Sequence, residues 1–174
     1  RKYHGNLLRS NEKKRIEDSV YGYLSNALGP YYAVLMRGIH GLGVIKGRNT
    51  ISERADFVVV SVFTGKVLAY LELTGDRVDD EYARILEEKV EKLLKLRDAP
   101  SFIIYYKLPK RKRSFRDIEK YCIVFSLNTI ISKYVKKAKW LRDEKPYYFV
   151  RIEDALGKLP TFTSLLKNHI LPCI

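Results

Sequence analysis

Glutamine is absent from the 174 residues, methionine occurs once and cysteine twice. Cys122 lies in an apolar run and Cys173 in the tail, so neither a disulfide framework nor a cysteine-rich zinc site is available, and a reducing interior is expected. His40 and His169 stand apart from each other and from any third ligand, which leaves histidine-based nucleophilic or zinc chemistry without support. No run of eighteen or more apolar residues exists, excluding an ordinary transmembrane helix, and the opening residues Arg1 to Gly5 contain no apolar signal core. The chain reads as soluble and cytoplasmic, and its start at Arg rather than Met reads as a trimmed fragment. Internal repeats and low-complexity linkers are also missing. Few thermolabile side chains beside abundant Lys, Glu, Ile, Leu and Tyr suit a heat-adapted protein.

Negative charge is in short supply. Against 33 Lys plus Arg there are 20 Asp plus Glu, a net charge of +13, which favours a polyanionic partner, nucleic acid first, through steering and counterion release. At this length one domain, residues 1–174, is expected, burying roughly two thirds of its unfolded surface.

The pattern along the chain predicts a mixed α/β fold. Residues 11 to 28 begin at a possible Asn11 cap, place Ile16, Val20, Tyr23, Leu24 and Ala27 at helical spacing and end at Gly29-Pro30. Tyr31 to Ile39 reads as a strand, followed by a glycine-rich loop, 40–50, whose Lys46 and Arg48 suit phosphate contacts. Two apolar strands come next. A helix is predicted from about Asp79 to Arg97, with Tyr82, Ile85, Leu86, Val90, Leu93 and Leu94 inward, then a nearly continuous apolar strand, Ser101 to Leu108. Lys110, Arg111, Lys112 and Arg113 form an exposed basic connection suited to backbone contact. Beyond it lie a strand (121–127), a helix (128–140), a strand (146–152) and a short closing helix (161–171).

The two central strands carry the informative residues. Asp56 opens Phe57-Val58-Val59-Val60, and Glu72 sits inside Val67-Leu68-Ala69-Tyr70-Leu71-Glu72-Leu73-Thr74. A carboxylate in so apolar a strand is costly to desolvate unless it is paired or binds a cation. Because side chains alternate, the hairpin loop decides whether the two acids meet. A two-residue Thr64-Gly65 turn separates them; a three-residue loop, Thr64 to Lys66, puts Val58 opposite Glu72 and Asp56 opposite Thr74, with both acids on one face. The second register is the expectation. Glu17 borders the apolar stripe of the first helix and either looks toward the sheet or is solvated. The bland alternative for the acids is surface pairing, Asp56 with Arg54 and Glu72 with Arg77.

These residues resemble the PD-(D/E)XK nuclease superfamily, the restriction-endonuclease-like fold, and within it most of all the archaeal Holliday-junction resolvases. The likeness covers residues 12 to 108. Glu17 falls where the family has a helix glutamate, Ala55-Asp56 where it has Pro-Asp, and Glu72-Leu73-Thr74 where it has Glu-x-Lys. The resemblance implies a mixed central β-sheet flanked by helices, with an α-β-β-β-α-β core over about 11–108 and C-terminal additions over 109–174. It also implies a Mg²⁺ or Mn²⁺ ion held by Asp56, Glu72 and the Leu73 carbonyl, with Glu17 orienting a water or a second ion. Thr74 stands in the place of the family's lysine and cannot carry its charge. Lys66, six strand residues from Glu72 and so about 20 Å away, is too distant to replace it. Lys46, Arg48 and Arg77 remain open, as do Lys89 and Lys92 if their helix crosses the site.

The expected activity is metal-dependent cleavage of nucleic acid, DNA ahead of RNA, by an endonuclease that could select for structure and act as a two-fold homodimer with an apolar interface. The competing expectations are a nuclease fold that binds nucleic acid without cutting it, favoured by the missing lysine, and a basic subunit of a larger complex.

Overall fold

A computed structural model of the chain describes residues 2–38, 51–133, 138–139 and 145–173. The first helix, α1 (Lys2–Leu28), starts well before Asn11. It buries Ile16, Val20, Leu24 and Leu28, one residue per turn, each burial stabilising by about 1.5–3 kcal/mol. Three strands follow: β1 (Tyr32–Met36), β2 (Phe57–Ser61) and β3 (Val67–Asp76). After them come β4 (Tyr82–Leu86), the helix α2 (Glu87–Leu94) and β5 (Ser101–Lys107). The C-terminal part adds β6 (Cys122–Ser126), α3 (Leu127–Lys133), β7 (Ala138–Lys139), β8 (Pro146–Arg151), β9 (Gly157–Lys158) and α4 (Leu159–Leu165).

The main sheet has the order β1-β2-β3-β5-β6-β9, with only the β3–β5 pair parallel. That parallel pair needs a crossover, which α2 supplies. The expected α-β-β-β-α-β core is therefore present, with one extra strand ahead of its second helix. Alternation along β3 sends Ala69, Leu71 and Leu73 into a core shared with α1 and α4. Tyr70 faces the opposite core, shared with α2, α3, β4 and β8.

Two expected helices are corrected. Residues 82–86 belong to a strand, because Ala83 and Ile85 are buried at period two and pair with Val150 and Tyr148 of β8. The helical spacing of Tyr82, Ile85 and Leu86 is overridden by a partner more than sixty residues away in sequence. The helix expected over 128–140 ends at Lys133 within the described residues, and Ala138-Lys139 pairs with β8 instead. The loop 40–50, with Lys46 and Arg48, lies outside the described residues; the description resumes with a short 3₁₀ turn, Ile51–Glu53.

A half-buried charge network joins the two sheets. Asp76, at the end of β3, accepts from Arg84 of β4 at 3.2 Å and from Lys107 of β5 at 3.0 Å. Tyr105 donates its hydroxyl hydrogen to Asp76 and accepts the Arg84 backbone N–H at 2.9 Å. Asp80 completes the network with Arg84 and with Lys107, the latter at 2.7 Å.

Gly75 lies opposite Tyr106 in the β3–β5 ladder, where an added Cβ would come within 2.3 Å of the Tyr106 carbonyl and ring. Gly75→Ala is expected to lower stability by about 1–3 kcal/mol, since a backbone carbonyl in a paired strand cannot step aside. Urea unfolding would show this as a lower midpoint; an unchanged midpoint would mean the ladder opens more easily than its packing implies.

Candidate active site at one end of the main sheet

Asp56 and Glu72 do share a face, but by a register different from the expected one. The hairpin loop has four residues, Val62 to Gly65, with Gly65 at φ +70 and the Ser61 N–H bonded to the Lys66 carbonyl. Carried straight along the strands, this pairing would put the acids on opposite faces. A bulge between Val59 and Val60 shifts the pairing by one, so that Val58 faces Tyr70 and Phe57 faces Leu71. One further step brings Asp56 across from Glu72, where the expectation had Thr74. Bulges of this kind re-aim side chains. Both Leu68 and Ala69 consequently enter the α1 core.

The two carboxylates are locked reciprocally. The Asp56 backbone N–H donates to Glu72 Oε1 at 2.9 Å, and the Leu73 N–H donates to Asp56 Oδ2 at 2.8 Å. Glu72 is 2% exposed and Asp56 7%. Burial of this order costs several kcal/mol per unpaired ion, so counter-charges are required.

The counter-charges come from three elements. Val90 and Leu93 seat α2 against the sheet, which aims Lys89 and Lys92, one turn apart, at the acids. Lys92 Nζ donates to Glu72 Oε2 at 2.9 Å, and Lys89 Nζ to the Leu73 carbonyl at 3.1 Å. Arg37, just beyond β1, places its guanidinium 3.8 Å from Asp56 Oδ1 and 3.9 Å from Glu72 Oε1. Its backbone N–H extends the ladder to the Asp56 carbonyl at 3.1 Å. On α1, Lys13 stands 4.0 Å from Glu17. The Arg37 and Lys92 side chains are 37% and 36% exposed, so flexible side chain rather than packed core forms this wall of the site.

Titration follows the same geometry. Burial and the Asp56 charge push the Glu72 carboxyl up from its ordinary value. Burial acts in the same sense on Asp56, but Lys89 and the bonds from the Glu72 region and the Leu73 N–H outweigh it and hold this carboxyl low. Glu17, half-buried, is raised by burial and by Asp56. Lys89 is lowered by burial and by repulsion from Lys13. Two carboxylates driven apart beside a desolvated lysine form an arrangement typical of functional sites.

The donor set suits a hard divalent cation. Asp56 Oδ1, Glu72 Oε2 and the Leu73 carbonyl are oxygen ligands, and Mg²⁺ takes one or two carboxylates while keeping several waters. Two of these oxygens are capped by lysine heads on flexible stems, so an ion would compete with ammonium groups and not with the fold. Among the described residues no group of three or more His, Cys, Asp or Glu could hold a metal ion, so any protein ligand beyond the two carboxylates would be the backbone carbonyl.

The partners expected for simple ion pairing are engaged elsewhere, and the acids pair instead with Arg37 and Lys92. Arg54 bonds to Tyr70 at 2.7 Å and Asp98 at 3.3 Å. Arg77 holds Glu12 and the carbonyls of Pro109 and Lys110, the latter two at 2.7 and 3.2 Å. Thr74, two residues beyond Glu72 on the same face, reaches neither acid through any bond described. Lys110, Arg111 and Arg113 are exposed as expected. Lys112 is not: it turns inward to Asp117 at 2.8 Å and over the Tyr121 ring. Arg37 and Lys13 were not anticipated, since an arginine after a strand and a lysine on a polar helix face carry no pattern of their own.

Fold and site together define a mixed α/β protein with a lysine-flanked pair of strand carboxylates. No protein-family model and no curated protein matches the chain. Among solved structures it is similar to Hjc, a Holliday junction resolvase from the archaeal hyperthermophile Archaeoglobus fulgidus. That similarity spans 83% of this chain and 94% of that one, with 14% identity and a TM-score of 0.45.

Proposed function

We propose that the chain is a metal-dependent nuclease that hydrolyses phosphodiester bonds in nucleic acid, DNA ahead of RNA, at the Asp56–Glu72 pair. The observation that carries this reading is the lysine: Thr74 leaves the motif uncharged, and Lys89 brings an ammonium group to the Leu73 carbonyl beside both acids. A Mg²⁺ or Mn²⁺ ion held by Asp56, Glu72 and the Leu73 carbonyl would polarise the phosphate and lower the pKa of a bound water. Lys89 offsets negative charge gathering on the phosphate in the transition state, the role electrostatic preorganisation fills most effectively. Glu17, half-buried on α1, orients a water at the edge of the site. Arg37 and Lys92 exchange their carboxylate partners for phosphate oxygens as substrate enters. Selectivity for branched DNA and a two-fold dimer belong to the same reading.

A second reading, a nuclease fold that binds without cutting, is favoured by Lys92, which already neutralises Glu72 at 2.9 Å. Nicking of plasmid and of a synthetic four-way junction in Mg²⁺ or Mn²⁺ separates the two. With Glu72→Ala, cleavage is expected to fall by about a hundredfold or more while binding persists. If the wild type binds but cuts no DNA or RNA offered, the second reading replaces the first.

A further inference from the structure

Lys13, Lys14 and Arg15 lie on α1, with Arg15 98 residues from Arg113 of the basic connection in sequence. The fold joins them: Arg15 donates to the Arg113 carbonyl at 3.1 Å, and its guanidinium lies 5.1 Å from the centre of the buried Phe115 ring. Between them opens a crevice of about 510 Å³ walled by Arg15, Arg113 and Arg116, with the hydroxyls of Ser19 and Ser114 and one carboxylate, Asp18. A second hollow of about 830 Å³ is lined by Lys13, Arg77 and Lys110 but equally by Glu12, Asp76 and Asp79, so it is not a cationic site. Both lie toward the end of the main sheet that holds the acids, because α1 runs into β1 at the opposite end and β5 leaves beside the end of β3.

We propose that the Arg15–Arg113–Arg116 crevice is a phosphate-binding site for a nucleic-acid backbone, separate from the acid pair and gripping the strand that runs past it. Guanidinium forks match phosphate oxygens two at a time, and hydroxyls supply neutral donors beside them. Arg15 is preset for this: its lean on Phe115 and its bond to the connection hold the group in place, so less side-chain freedom is lost on binding. Three guanidinium groups against one carboxylate leave the wall cationic, and its one apolar lining residue, Phe115, is buried under the Arg15 guanidinium, so it does not serve as the exposed anchor a protein partner would use. The proposal takes its ligand from the nucleic-acid reading above and does not depend on hydrolysis.

The test is fluorescence anisotropy with a labelled 30-base-pair duplex and a four-way junction, in chelator, across a salt series. Arg15→Ala/Arg116→Ala is expected to weaken both by about 5- to 30-fold and to flatten the plot of log affinity against log salt by about two phosphate contacts. Arg116→Glu, at an exposed position, checks that the loss is not unfolding; its thermal midpoint should match the wild type while affinity drops further. Lys66→Ala removes a cation at the other end of β3 and should change affinity less than twofold. If both arginine variants fold and keep wild-type affinity and salt slope, or if Lys66→Ala costs as much, the site is refuted. Binding that depends on these arginines in a protein that never cuts would uphold the crevice and sink only the hydrolysis reading; cleavage with indifferent arginines would do the reverse. Tight capture of a phosphopeptide with no affinity for either DNA would overturn it in favour of a protein partner.

Discussion

Lys89→Ala is expected to slow cleavage by about 10²–10⁴-fold, the range typical of a single proton-transfer or electrostatic group, while nucleic-acid affinity changes little. Lys89 lies half-buried with its ammonium at 3.1 Å from the Leu73 carbonyl, beside the acids and not on the exposed basic connection. Its loss should therefore appear in kcat and not in KM. Lys89→Arg should rescue little, because a planar fork needs more room than a tapering ammonium and holds its proton permanently. The sharper check is Thr74→Lys in the Lys89→Ala background. Position 74 projects from β3 on the same face as Glu72, so a lysine there approaches the acids from the strand and should restore part of the lost rate. Full activity in Lys89→Ala, measured by single-turnover junction cleavage, would remove this residue from the chemistry.

The largest stability effect is expected at Arg84. Its side chain is 9% exposed and bridges Asp76 and Asp80, with the guanidinium 5.4 Å from the Phe149 ring centre. Arg84→Met leaves those carboxylates short of a partner inside the joint between the two sheets, a kind of loss that costs about 3–5 kcal/mol. Urea unfolding at neutral pH reads it directly, and a cost below about 1 kcal/mol would mean that Lys107 satisfies both acids alone. Acid titration provides the second measurement. Burial acts to raise the Asp80 carboxyl, but hydrogen bonds from Arg84 and Lys107 outweigh it and hold the folded value well below the ordinary 3.8. The unfolded chain thus takes up the proton first as pH falls. Asp80's contribution is complete above about pH 5 and is lost progressively as pH falls below that point. In the Arg84 variant this acid-dependent loss should shrink.

Legibility from sequence followed the range of the interaction involved. Ile16, Val20, Leu24 and Leu28 repeat once per turn, and the apolar runs of β2, β3 and β5 announce themselves locally, so these elements were visible. β4 was not: the spacing of Tyr82, Ile85 and Leu86 suits a helix, and only pairing with β8 makes it a strand. The acids were conspicuous because a lone charge in an apolar strand demands a reason. Their partners were less so: Lys89 and Lys92 were candidates only on condition that their helix crosses the site, which it does, and Arg37 was not among the candidates.

Composition and local periodicity determined that this chain is basic, builds a mixed α/β core, and carries two carboxylates on adjacent strands, because desolvation cost and side-chain period are properties of a few neighbouring residues. Tertiary structure alone decided that a bulge, not the loop, brings Asp56 opposite Glu72, and that α2 rather than Thr74 supplies the ammonium group. Those outcomes depend on contacts between segments far apart in the chain, whose free energies no local stretch contains.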